Sequence, residues 1–240
     1  MIDDTRICFL GDSFVQGLGD PEFRGWAGRA LQACAADVTA YNLGVRRNTS
    51  TDVLHRCWAE VEARTVPGAD HRLVVSVGSN DATESPSGGP RVPPDRTRAN
   101  LAALLDGARD RGHGALVVGP PPVVMGGARQ LERMLALVPL LAEVCAERAV
   151  PFVDVTRALA GNPAWVAEAT AGDGAHPGAG GYAALAELVL AGGFRDWLLA
   201  GRADRAASAG SADRQTPTAP EPLATPGAPT APESLAARPA

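Results

Sequence analysis

Along the first 201 residues, short apolar runs alternate with longer stretches of helical periodicity. Five runs, 6–10, 38–43, 73–77, 115–119 and 151–155, have the length of buried strands and are bounded by turn residues. Several are continuous rather than alternating, as in strands covered on both faces. Between them apolar residues recur three and four apart. Trp26, Ala30, Leu31 and Cys34 make one helical face, and Val53, Leu54, Cys57, Trp58 and Val61 a second. Leu101, Leu104, Leu105 and Ala108 make a third, and a longer face runs from Leu131 to Cys145. Tyr182, Leu185, Ala186, Leu188 and Val189 form the last. This alternation predicts a three-layer α/β/α domain with right-handed crossovers around a five-stranded parallel sheet. Five strands are too few for an eight-stranded barrel, so a flavodoxin-like, doubly wound sheet is expected. After Gly201 the pattern stops. Residues 202–240 are mostly Ala, Pro, Thr, Ser and Gly, with Leu223 and Leu235 almost the only large apolar side chains. Such a segment buries too little apolar surface to offset its ordering entropy. The expectation is one domain at 1–201 and a disordered tail at 202–240, which could alternatively dock a protein partner.

Composition narrows the function classes. The chain carries 22 basic and 27 acidic residues, a net charge of −5, which argues against a strongly basic nucleic-acid binder. Every basic residue is arginine. Without lysine there is no Schiff base and no Walker-type phosphate loop. Cys8, Cys34, Cys57 and Cys145 form no CxxC pair and sit in apolar stretches, so they are expected to be small buried hydrophobes. The N-terminus is acidic and runs straight into a strand-like segment, unlike a secretory signal. No apolar run approaches the ~18–20 residues of a membrane span. A cytoplasmic location is expected.

In a doubly wound sheet, ligands bind outside the carboxyl ends of the strands. The residues able to do chemistry stand there. Gly11, Asp12 and Ser13 follow the first run, Asn42, Leu43 and Gly44 end the second, and Gly78, Ser79, Asn80 and Asp81 follow the third. The loop before the closing helix carries Asp173, Gly174, Ala175, His176 and Pro177. A serine hydroxyl becomes a nucleophile when a base takes its proton. His176 is the natural base, and Asp173, three positions earlier, can fold back onto its second ring nitrogen. Each also has a plainer reading: Ser13 as a helix cap, Asp173 as a turn residue, His176 as a surface histidine. His55, His71 and His113 lack a carboxylate at such a spacing.

Taken together, GDS after the first strand, GSND after the third and DGAHP before the last helix resemble the SGNH (GDSL-type) esterase and lipase family, in its order and across most of residues 7–177. The resemblance implies an acyl-ester or thioester hydrolase that needs no metal or organic cofactor. It assigns Ser13 as nucleophile, His176 as base and Asp173 as its orienting carboxylate. It builds an oxyanion hole from the backbone N–H of Ser13, the backbone N–H of Gly44 and the side-chain amide of Asn80. The second block departs from the family pattern, because Arg46, Arg47 and Asn48 stand where another glycine is often found. An acyltransferase would use the same triad with an acceptor hydroxyl in place of water. A flavodoxin-like phosphate- or nucleotide-binding module would explain the turn at 11–13 but not Asn80 or the Asp173–His176 pair. Asp12 and Asp81 are expected to hold strand-end turns rather than to act as an acid/base pair. The loops at 82–94 and 120–127 emerge at the same edge. There Val123, Val124 and Met125 either line an acyl pocket or seal the loop. Arg46, Arg47 and Arg91 either meet an anionic substrate or are solvated, and Trp165 either floors the site or packs beside it.

Overall fold

The computed structural model describes residues 4–200; the expected tail at 202–240 lies outside the described residues. The first apolar run forms β1 (Thr5–Gly11), followed by the one-turn helix α1 (Ser13–Gln16) and then α2 (Gly25–Cys34). β2 (Thr39–Gly44), α3 (Ser50–Glu62), β3 (Asp70–Ser76), α4 (Pro94–Asp110) and β4 (Gly114–Val118) follow. A 3-10 turn at Val124–Gly126 leads into the long α5 (Gly127–Glu147). β5 (Phe152–Val153), α6 (Thr156–Ala160), α7 (Pro163–Ala171), α8 (Ala179–Ala191) and α9 (Phe194–Leu199) complete the order. The sheet runs β2-β1-β3-β4-β5 and every pairing is parallel, as the alternation of runs required. This is the doubly wound, three-layer α/β/α architecture with a five-stranded parallel sheet that the sequence predicts.

Successive strand residues point to opposite faces, and the two faces build two cores. Ile7, Phe9, Val74, Leu116 and Val118 pack with Trp26, Trp165, Tyr182 and Leu185 of α2, α7 and α8. Cys8, Leu10, Leu73, Val75 and Val117 pack with Val53, Leu101, Leu104 and Leu141 of α3, α4 and α5. Each large side chain so buried contributes about 1.5–3 kcal/mol. All four cysteines are free and buried.

Two strands differ from expectation. β2 lies at the sheet edge and leaves Thr39, Ala40 and Asn42 exposed, because it has only β1 as a neighbour. β5 keeps two residues of the run at 151–155. Its continuation leaves the sheet: Val155 is buried in the core, while Asp154 Oδ1 accepts the Thr156 N–H at 3.0 Å and starts α6. Among the described residues, no helix is long and apolar enough to cross a membrane.

Candidate active site

The site begins where β1 ends. A Cβ on Gly11 would lie 2.4 Å from both the Ser76 carbonyl oxygen and Val15, so only glycine fits between β3 and α1. Asp12 caps α1, its Oδ1 accepting the Phe14 N–H at 2.9 Å. Ser13 is therefore the first residue of a helix, and its N–H has no acceptor within that helix. The helix stops after one turn at Gly17, whose φ of 80° is the left-handed conformation that glycine adopts without strain.

The loop between α7 and α8 brings in the base. His176 Nε2 lies 2.7 Å from Ser13 Oγ, and its Nδ1 lies 2.7 Å from Asp173 Oδ2. Asp173 Oδ1 accepts the N–H groups of Ala175 and His176 at 3.0 and 2.9 Å. Partial burial works against the Asp173 charge, but the backbone and imidazole donors of His176 and the Ala175 N–H outweigh it and hold the carboxyl down to about 2. An ionised carboxylate only accepts, so the ring proton sits on Nδ1 and Nε2 presents its lone pair to the Ser13 O–H. Three residues from two distant segments thus form one continuous hydrogen-bond chain.

Packing fixes the imidazole from below. Its ring lies 5.1 Å from that of Phe14, which stacks on Trp165 at 5.6 Å. Trp165 is fully buried and its Nε1 donates to the Pro122 carbonyl at 3.0 Å. It packs beneath Phe14 and does not line the cavity. Past His176, Glu168 accepts the N–H groups of Gly180 and Gly181 at 3.1 and 2.7 Å, closing the N-terminus of α8.

Asn80 reaches the site from the loop after β3. Its Nδ2 donates to Asp12 Oδ2 at 2.9 Å and to the Asn48 carbonyl at 3.1 Å. Both amide hydrogens have acceptors within the protein. Asp12 is 2% exposed, and burial is the main force that pushes its carboxyl up to about 7, against the Phe14 N–H and Asn80 donors and with the help of nearby Asp81. Asp81 is a structural clamp, as expected: it accepts from the Ser50 N–H at 2.9 Å, the Ser50 hydroxyl and the Thr97 hydroxyl. Asp12 does more than hold its turn, since it also sets the orientation of Asn80.

Gly44 is placed differently from Ser13 and Asn80. It does not line the cavity; its N–H already donates to Asn42 Oδ1 at 3.0 Å. A Cβ there would sit 2.2 Å from the Gln16 nitrogen, so this glycine lets β2 pass against α1. The residues of that segment which do line the cavity with Ser13 and Asn80 are Arg46 and Arg47, the latter held at φ 67°. Nothing in the sequence marks a left-handed arginine, because that conformation normally belongs to glycine or asparagine.

The cavity over Ser13 has a volume of about 490 Å³. Val123 and Met125 form its apolar wall, whereas Val124 packs on the core. The Met125 N–H donates to the Gly174 carbonyl at 2.7 Å, joining that wall to the histidine loop. Thr83 and Gln130, which the sequence did not single out, line it as well, and Arg91 does not.

The carboxyl-terminal edge of a 2-1-3-4-5 sheet that carries this hydroxyl–imidazole–carboxylate chain defines a hydrolase of the three-layer α/β class. The chain belongs to the GDSL-like Lipase/Acylhydrolase family, whose sequence profile matches residues 9–184. Among solved structures it is similar to the lipase/acylhydrolase from Enterococcus faecalis, with 24% identity and a TM-score of 0.62 over 77% of this chain and 93% of that one. It is also similar to Axe2, an acetylxylan esterase from Geobacillus stearothermophilus, with 20% identity and a TM-score of 0.62 over 80% and 96% of the two chains. The psychrotrophic esterase EstA from Pseudoalteromonas sp., in a structure inhibited by monoethylphosphonate, shares 18% identity and a TM-score of 0.61 over 81% and 99%. At these identities the likeness is one of fold. No curated protein sequence matches.

Proposed function

We propose that the protein hydrolyses small carboxylic esters or thioesters through an acyl-enzyme on Ser13. The supporting observation is the continuous chain from Ser13 Oγ to His176 to Asp173, with 2.7 Å at both links. His176 Nε2 takes the Ser13 proton as Oγ forms a bond to the acyl carbon, and the carbonyl π electrons move onto oxygen. Asp173 stabilises the imidazolium that results. The tetrahedral oxyanion accepts from the Ser13 N–H and from Asn80, which exchanges its longer bond to the Asn48 carbonyl for the new acceptor. When the carbonyl reforms, the bond to the alcohol or thiol breaks and His176 Nε2 protonates the leaving group. Water then repeats the sequence, with His176 taking its proton and Ser13 leaving with that proton restored. The Val123–Met125 wall gives the substrate an apolar surface beside a polar floor.

Turnover of 4-nitrophenyl acetate by the wild type and by Ser13→Ala tests this reading. Loss of about 10³-fold or more in kcat is expected on removing the nucleophile. Equal rates in the two proteins would overturn it.

A further inference from the structure

The cavity over Ser13 is cationic although the molecule is acidic. Four arginines line it: Arg46 and Arg47 from the loop after β2, and Arg129 and Arg133 one turn apart on α5. Its acidic lining residues are Glu84 and Asp173, in a chain whose net charge is −5. Asp173 is already bonded to the imidazole and lies 3.9 Å from Arg46. Glu84 faces two of the arginines, at 3.3 Å from Arg133 and 3.6 Å from Arg129. Arg133 is further tied by bonds to the Ala82 and Gly88 carbonyls, so it holds the loop after β3 in place. Arg129 remains 74% exposed. Arg47 forms no ion pair among the described residues. The cleft therefore holds more positive charge than its own carboxylates neutralise.

Arg47 supplies an independent observation. Its φ of 67° is one that a residue with a β-carbon adopts at a cost, and glycine or asparagine would relieve that cost. The turn is held by the Asn48 N–H to the Val45 carbonyl at 3.1 Å and by Arg91 donating to the Arg47 carbonyl at 3.2 Å. A long cationic side chain thus stands at the cavity wall where the backbone would favour a small one. A guanidinium fork presents paired N–H donors that match the oxygens of a carboxylate or phosphate.

We propose that the preferred substrate carries, besides the scissile ester, an anionic oxygen group, carboxylate or phosphate, bound between Arg47 and Arg129 while Ser13 attacks. The proposal rests on the esterase reading above and names the substrate class of that site. The anion can belong to the acyl half or the alcohol half, and two matched series separate them. The first compares mono-4-nitrophenyl adipate with 4-nitrophenyl hexanoate and 4-nitrophenyl 6-aminohexanoate. The second compares 3-acetoxybenzoate with phenyl acetate.

In one series kcat/KM for the anionic ester should exceed that of its neutral match by about tenfold at low salt, the size of one partly screened charge-assisted pair. The ratio should shrink toward one as salt shortens the Debye length from about 30 Å to about 8 Å. It should also fall in the double variant Arg47→Asn, Arg129→Gln. Asparagine accepts the left-handed backbone and Arg129 is largely solvent-exposed, so this variant is expected to fold, as a melting temperature no lower than that of the wild type would verify. The readout is the ratio within one protein, which a general loss of activity does not move. Turnover of the neutral esters with no anionic preference in either series, or an unchanged ratio in the double variant, overturns the charge proposal alone. Absence of turnover for every ester overturns the esterase reading and this proposal together.

Discussion

Asn80 commits both of its amide hydrogens within the protein, to Asp12 and to the Asn48 carbonyl. That pre-orients the donor, and an oxyanion has only to replace the weaker of two acceptors. Asn80→Ala should therefore lower kcat by about 10²–10³ with little change in KM, since the interaction belongs to the transition state. Steady-state kinetics on a neutral aryl ester checks this, and an unchanged kcat would remove Asn80 from the reaction. Asp12 has a signature of its own. Burial raises its folded carboxyl from 3.8 to about 7, so between those values the folded protein holds a proton that the unfolded chain releases. Its contribution to stability is full below about pH 4 and is lost as pH rises through about 7. Melting temperatures of wild type and Asp12→Asn from pH 4.5 to 7.5 should show a fall in the wild type that the variant lacks. Parallel curves would place the titration elsewhere. Ser13 and Asn80 stood out in the sequence because they follow strands, and Asp173 and His176 because of their three-residue spacing before the last long helix; the fold brings Ser13, His176 and Asp173 into one hydrogen-bonded chain. The grip of Asp12 on Asn80 did not stand out, because two residues 68 positions apart carry no mutual signal in one sequence. Gly44 is a related case: a glycine after a strand serves close packing as readily as ligand approach, and its close approach to the Gln16 backbone is visible only in the folded chain.

The element that delivers His176 is held by its neighbours rather than by its own chain. Glu168 on α7 accepts two N–H groups at the start of α8, so one carboxylate fixes both ends of the histidine loop. A neutral amide offers one acceptor oxygen and no charge to the helix N-terminus. Glu168→Gln should cost about 1 kcal/mol, a fall of about 2–4 °C in melting temperature for a domain of this size. Calorimetry reads this directly, and no shift would mean that solvent caps α8 equally well. At this scale β1, β3 and β4 were visible as continuous apolar runs because both of their faces are covered. β2 and β5 were blurred, since edge strands obey weaker patterning. The short α6 and α7 were missed because neither is long enough to display helical periodicity. Trp165 on α7 was noticed, but its contact through Phe14 to His176 depends on three segments meeting.

Across the whole molecule, the 2-1-3-4-5 order places the ends of β1, β2 and β3 side by side and lets the loop after α7 close over them. Ser13 and His176 stand 163 positions apart in sequence and 2.7 Å apart in space, so the site exists only in the folded chain. An activated serine, unlike a capping serine, attacks phosphorus as well as carbon. Reaction of the native protein with a fluorophosphonate, followed by peptide mass mapping, therefore probes the hydroxyl, its base and the surrounding donors at once. The account predicts a single phosphonyl adduct on Ser13 that is lost in His176→Ala and on prior unfolding. Native protein that stays unlabelled, or that labels at Ser13 equally well without His176, would contradict it.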